Sequence, residues 1–136
     1  MVLTALLAAV ASRPFGRGSL AAVDAESAAA ELALTLQSLR QQAILTGREH
    51  GVRLVRRSSR IRRVDAWQSV NGKRVPLATR LDIDFEAVPA TSPLREMGFT
   101  AEGTATIGGI IEFTTDHRTW QVQVLSLTGV VRVSEP

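Results

Sequence analysis

Six arginines, Arg53, Arg56, Arg57, Arg60, Arg62 and Arg63, crowd one short stretch of the chain. A cluster this dense can neutralise several phosphates, or it can form a rim that meets an acidic neighbour. Single-strand nucleic-acid binders interleave such cations with several stacking aromatics, and here only Trp67 lies close by. A solvated edge or a contact for an acidic neighbour is therefore expected rather than nucleic-acid binding. Asp82, Asp84 and Glu86 alternate with Leu81, Ile83 and Phe85. On one strand face neighbouring carboxylates would lie about 7 Å apart, near enough to share a hard cation or a proton. The same alternation describes any half-exposed strand, which is the preferred reading. His50 and His117 each sit beside charged residues in expected turns, and both are expected to be exposed. Neither has the spacing of a metal pair. No Gly-x-Ser-x-Gly elbow and no phosphate loop ending in Lys-Ser or Lys-Thr occurs, and there is no cysteine. No catalytic residue, metal site or cofactor is expected, and no enzymatic activity.

The elements that would carry these residues fit one domain: 136 residues with 45% hydrophobic and 21% charged content are enough for a real core and wrong for disorder. Fifteen of the sixteen basic residues are arginine and the net charge is only +3. Position along the chain says more than the total. Residues 47–80 carry ten basic and two acidic groups, whereas residues 81–136 carry three basic and eight acidic groups. A chain polarised in this way favours head-to-tail contact between stacked subunits.

Met1 to Ala11 is an uncharged apolar run, too short at roughly 16 Å of helix to cross a hydrocarbon core of about 30 Å. A cleaved signal peptide is one reading, but the basic residues that should precede it are missing. The preferred reading is the tail of a longer apolar helix, with Val2, Leu3, Leu6, Leu7 and Val10 as membrane-anchor residues. Pro14, Gly16 and Gly18 should kink it, so residues 1–18 form the anchor end and residues 19–136 the globular domain. Within that domain residues 19–46 read as an amphipathic helix with Asp24 as N-cap and Gly47 as the stop. Its stripe is Ala25, Ala29, Leu32, Leu36, Leu39 and Ala43. The small face formed by Ala25, Ala28 and Ala29 suits close helix packing between subunits, or equally packing on the subunit's own sheet.

Residues 48–136 switch to a period of two. Val52 and Leu54, then Ile61 and Val64, alternate with arginines, Asn71-Gly72 is a hairpin turn, and Leu81, Ile83 and Phe85 continue the pattern. Pro89 and Pro93 mark a loop, after which 110–114, 120–125 and 130–133 read as three strands. Phe99 and Trp120 are expected in the core, and Gly108-Gly109 at a bulge or turn. The fold class is α+β, a long helix packed on antiparallel sheet.

The stretch from Gly98 to Phe113, with Phe99, Gly103, Gly108 and Gly109, followed by Trp120 to Val133 with Leu127-Thr128-Gly129 and Arg132, resembles the C-terminal signature of the GspH/FimT pseudopilins. Leu39 to Ala43 and Gly47-Arg48-Glu49 resemble that family's helix end. Two departures stand out: the family's cleavage motif and roughly 20-residue anchor are represented only by the apolar tail, and Val130 replaces the usual arginine. The resemblance implies N-terminal methylation, but the leader-peptidase site and the glutamate of its motif carry over to no position here, and Met1 is expected to be an internal or artificial start.

The resemblance implies a pilin-like minor subunit of a type II secretion system, anchored by a single pass in the bacterial inner membrane with its domain in the periplasm. Implied partners are the major G-type and the minor I, J and K-type pseudopilins, with possible contact to the secretin or cargo. The alanine face and the six arginines would be assembly surfaces. Two alternatives stay open, a FimT-like minor type IV pilin concerned with pilus assembly or DNA uptake, and an unrelated periplasmic binding domain.

Overall fold

The computed structural model describes residues 17–58, 60–83, 86–89, 94–114 and 118–135. Among the described residues one helix, α1 (Arg17–Thr46), is followed by nine strands: β1 (His50–Arg57), β2 (Arg60–Val70), β3 (Lys73–Asp82), β4 (Glu86–Pro89), β5 (Glu96–Phe99), β6 (Ala105–Ile107), β7 (Gly109–Thr114), β8 (Thr119–Val124) and β9 (Val131–Ser134). They form two antiparallel sheets, a first in the order β3-β2-β1-β5-β6 and a second in the order β4-β7-β8-β9. The α+β class expected from sequence is what forms.

Helix α1 is shaped by its stripe. Ala25, Ala29, Leu32, Leu36, Leu39 and Ala43 are all buried, and Ala33 widens the stripe by one position. Each buried leucine contributes about 1.5–3 kcal/mol, and the alanines let the backbone approach the sheets. The helix contacts β1 and β5 of the first sheet and β7, β8 and β9 of the second, so one apolar face closes both. It ends where Gly47 adopts a φ of 68° and donates its N–H to the Ala43 carbonyl at 3.0 Å, a left-handed termination open to glycine without strain.

The helix start differs from expectation. Asp24 lies within α1, not at its N-cap, because the helix already runs from Arg17. Leu20 to Val23 are compatible with helix, and Gly18 costs about 1 kcal/mol relative to alanine without stopping it. The proposed anchor residues Val2, Leu3, Leu6, Leu7 and Val10, and Pro14 and Gly16 of the kink, lie outside the described residues. Among the described residues no helix is long and apolar enough to cross a membrane.

In the first sheet Val52 and Leu54 of β1 face Ala66 and Val64 of β2, a register that turns all four toward the helix. The two-residue turn Asn71-Gly72, with φ of 52° and 78°, joins β2 to β3 with Val70 opposite Lys73. Positive φ at both positions matches the right-handed strand twist. The alternating run from Leu81 to Glu86 is not one strand. β3 ends at Asp82 opposite Arg63 in the first sheet, and Glu86 opens β4 opposite Thr114 in the second. Alternation cannot reveal a change of sheet, since both sheets reward an apolar residue at every second position. Asp82 and Glu86 therefore share no strand face, and Asp84 lies outside the described residues. Pro89 ends β4 instead of lying in a loop, while Pro93 is outside the described residues.

The three C-terminal strands form close to their expected bounds, as β7, β8 and β9. Phe99, Phe113, Ile111, Val122 and Val124 join the helix stripe in one core, and Trp120 packs half-buried against it.

Candidate functional site

The arginine cluster occupies the end of the β1–β2 hairpin. Arg53, Arg56 and Arg57 lie on β1 and Arg60, Arg62 and Arg63 on β2, with Arg57 opposite Arg60 and Arg53 opposite Asp65. All but Arg63, which is half-buried, are exposed. A register shift after Val55 puts Arg56 opposite Ile61, which swings its guanidinium to the carbonyl of Leu94. Arg63 Nε lies 2.9 Å from Asp65 Oδ1. It is also a buried nitrogen without an aligned hydrogen bond, so this pair acts by charge alone.

Next to the cluster, the face of the first sheet turned away from the helix is built around one aromatic. Trp67 pairs with Gly51 on β1 and Pro76 on β3, and its ring lies across the glycines of two neighbouring strands. A Cβ on Gly51 would sit 2.6 Å from Trp67 Cζ2, and one on Gly98 would sit 3.4 Å from it. The indole and the Met97 carbonyl leave no room for a side chain at Gly51, whereas at Gly98 the collision would be with Thr106 Oγ1 at 2.6 Å. Arg74 covers the ring with its guanidinium carbon 4.2 Å from the centroid. It also grips Glu96 on β5 with both terminal nitrogens, one of them at 2.8 Å. The Arg74 hydrogen bond is the main cause that holds the Glu96 carboxyl below the usual range, opposed by partial burial and helped by the charges of Arg74 and Arg53. Trp67 is thereby only 7% exposed, although its Nε1 has no acceptor among the described residues.

A second assembly of residues forms at the C-terminal end of α1. Arg40 Nε donates to the Gly103 carbonyl at 2.7 Å, and its Nη2 reaches the Thr128 carbonyl at 3.4 Å. One helical side chain thus ties the β5–β6 turn to the β8–β9 turn. Gly129, with φ of 73°, packs so closely on Gly103 that a Cβ would collide with the Gly103 carbonyl oxygen. Gly108 is similarly confined, because its Cβ would meet the Val124 carbonyl at 2.6 Å. Gly109 opens β7 opposite Val124, and Arg132 lies exposed on β9 opposite Gln123. Phe99 is fully buried. The stretch from Gly98 to Phe113 therefore bridges both sheets, with Phe99 in the first and Gly109 in the second. Around this clamp Ile44, Leu45, Leu127 and Val130 remain exposed, Leu127 at 89%. Ile44, Leu45 and Val130 line a shallow groove of about 530 Å³.

Ala25 and Ala29 are fully buried in the subunit's own core. Packing within the chain takes these two positions, and Ala28 is half-buried beside them. His50 is buried at 2% exposure, contrary to the expectation, with Nδ1 3.0 Å from the Arg48 carbonyl. Its place at the start of β1, between β2 and β5, puts the ring inside. His117 lies outside the described residues, and among those described no cluster of His, Asp and Glu could hold a metal. Sequence reasoning missed Arg40, Arg74, Glu96, Gly51 and Gly98, which act through partners distant in the chain. Acidic residues also come to the basic face, since β5 inserts beside β1 and brings Glu96 with it.

The sequence model of the family described as Type II transport protein GspH matches residues 28–128. Solved structures of similar fold include two minor pilin-type subunits. The minor pseudopilin EpsH from the type 2 secretion system of Vibrio cholerae aligns with a TM-score of 0.66 and 18% identity, over 83% of this chain and 98% of that one. The type IV minor pilin FimU of Pseudomonas aeruginosa aligns with a TM-score of 0.66 and 17% identity, over 82% of this chain and 96% of that one. No curated protein sequence matches significantly. The family match runs from the buried part of α1 through both sheets to the Thr128 turn that Arg40 holds, and the chain belongs to the GspH family of pilin-like type II transport proteins.

Proposed function

We propose that the chain is a minor pseudopilin of a type II secretion system, a non-enzymatic subunit that assembles with the major G-type and minor I, J and K-type pseudopilins. In this reading the globular domain stands in the periplasm, the apolar N-terminal segment anchors it in the inner membrane, and the short filament helps move folded proteins through the outer membrane. The observation that carries the reading is the GspH family match over residues 28–128. The exposed arginines and the apolar rim around Leu127 supply surfaces for packing, the one operation such a subunit must perform.

A minor type IV pilin is the second reading, favoured by the equal TM-score of 0.66 to FimU. Deleting the gene in its native host separates the two. Loss of protein secretion into the medium with intact surface pili supports the pseudopilin. Normal secretion with loss of pili or of DNA uptake supports the pilin instead.

A further inference from the structure

Beside the Trp67 platform lies a groove of about 750 Å³ whose lining includes Arg53, Arg56, Arg74 and Arg95 against the carboxylates of Asp65 and Glu96, with Trp67 and Pro76 adding apolar surface. Both carboxylates are already engaged, Asp65 by Arg63 and Glu96 by Arg74. Arg56 donates to the Leu94 carbonyl, which is neutral, and no carboxylate pairs with it among the described residues. The side chains of Arg53 and Arg95 are exposed and make no hydrogen bond or ion pair among the described residues. Among the described residues the groove thus presents three guanidinium groups that no carboxylate hydrogen-bonds, Arg53 acting on Glu96 only through its charge, along an apolar wall.

We propose that this groove takes an extended acidic segment of a neighbouring filament subunit, which rests on the pseudopilin reading and names the partner chemistry of its basic surface. Charge complementarity favours carboxylates, which guanidinium groups bind with two parallel hydrogen bonds. The apolar wall favours a peptide that alternates acidic and apolar side chains. Single-stranded nucleic acid fits less well, because base stacking needs an open aromatic face. Both faces of Trp67 are occupied, one by Gly51 and Gly98 and the other by Arg74.

The test uses the full chain in detergent, titrated at low and high salt with a fluorescein-labelled peptide of alternating glutamate and leucine. A glutamine-leucine peptide, an oligothymidine strand and anionic phospholipid vesicles are measured in parallel. Salt-sensitive binding of the acidic peptide alone is expected, about tenfold weaker in Arg53→Gln/Arg95→Gln. Both substituted side chains are exposed, and an unchanged melting curve verifies the fold. The charge-reversed Arg53→Glu/Arg95→Glu should abolish binding. Equal binding of the glutamine-leucine peptide, tighter binding of the oligonucleotide or vesicles, or no loss in either variant overturns the proposal. Copurification with other pseudopilins separates the two levels. Its survival in the charge-reversed variant overturns the groove and leaves the assembly reading intact, whereas its absence with the unaltered chain counts against the assembly reading itself.

Discussion

Arg74 stands 4.2 Å above the Trp67 ring and holds Glu96 with two N–H groups, so one side chain on β3 bridges β2 and β5 across the face of the first sheet. β1 lies between those strands, and the bridge passes over Gly51, where a side chain would meet the indole. The arrangement couples the three strands beside the basic groove.

The bridge makes stability depend on pH with a defined sign. The folded Glu96 carboxyl titrates below the ordinary 4.5, chiefly through the Arg74 hydrogen bond, with Arg74 and Arg53 as the facing cations; Glu49 also faces Arg74. A depressed folded value adds stability that is fully present above the unfolded value and is lost as pH falls through the folded one. Thermal melts of the unaltered chain and Glu96→Gln should therefore differ most at neutral pH and converge in acid below the folded value. A gap that stays constant between neutral pH and strong acid would count against the bridge.

Gly51→Ala should destabilise the fold by about 2 kcal/mol or more, through forced displacement in a packed region. The added Cβ would lie 2.6 Å from Trp67 Cζ2 and 2.9 Å from the Gly98 Cα, and backbone cannot yield as a flexible side chain can. Gly47→Ala meets nothing within 4 Å, and its cost is confined to a φ of 68°, about 1 kcal/mol. Chemical denaturation of both variants measures the order.

Arg40→Ala removes a charged donor from the Gly103 and Thr128 carbonyls, at a cost of about 1.5–3 kcal/mol. Hydrogen exchange should rise together in the 100–104 and 125–130 segments, which the arginine joins. Faster exchange in one segment alone would mean that the clamp does not couple them.

Leu127→Ser should leave stability within about 0.5 kcal/mol, since the side chain is 89% exposed and packs on nothing that its loss would open. If the apolar rim is an assembly surface, the same variant lowers filament incorporation, measured by crosslinking to partner subunits. Unaltered incorporation assigns assembly to other surfaces.

The helix stripe from Ala25 to Ala43, the Gly47 stop, the Asn71-Gly72 hairpin and the last three strands were legible in the sequence because each depends on local geometry. A helical stripe has a period near 3.6, a strand a period of two, and a positive φ favours Gly or Asn. The order of glycines from Gly98 to Gly129 also pointed to the family. Tertiary structure alone decided which sheet each strand joins, and hence that Asp82 and Glu86 separate, that β5 brings Glu96 to the arginines, and that His50 is enclosed. It also decided that Ala25 and Ala29 serve the subunit's own core. These outcomes depend on contacts between residues far apart in the chain, where periodicity carries no information about which partner a face will meet.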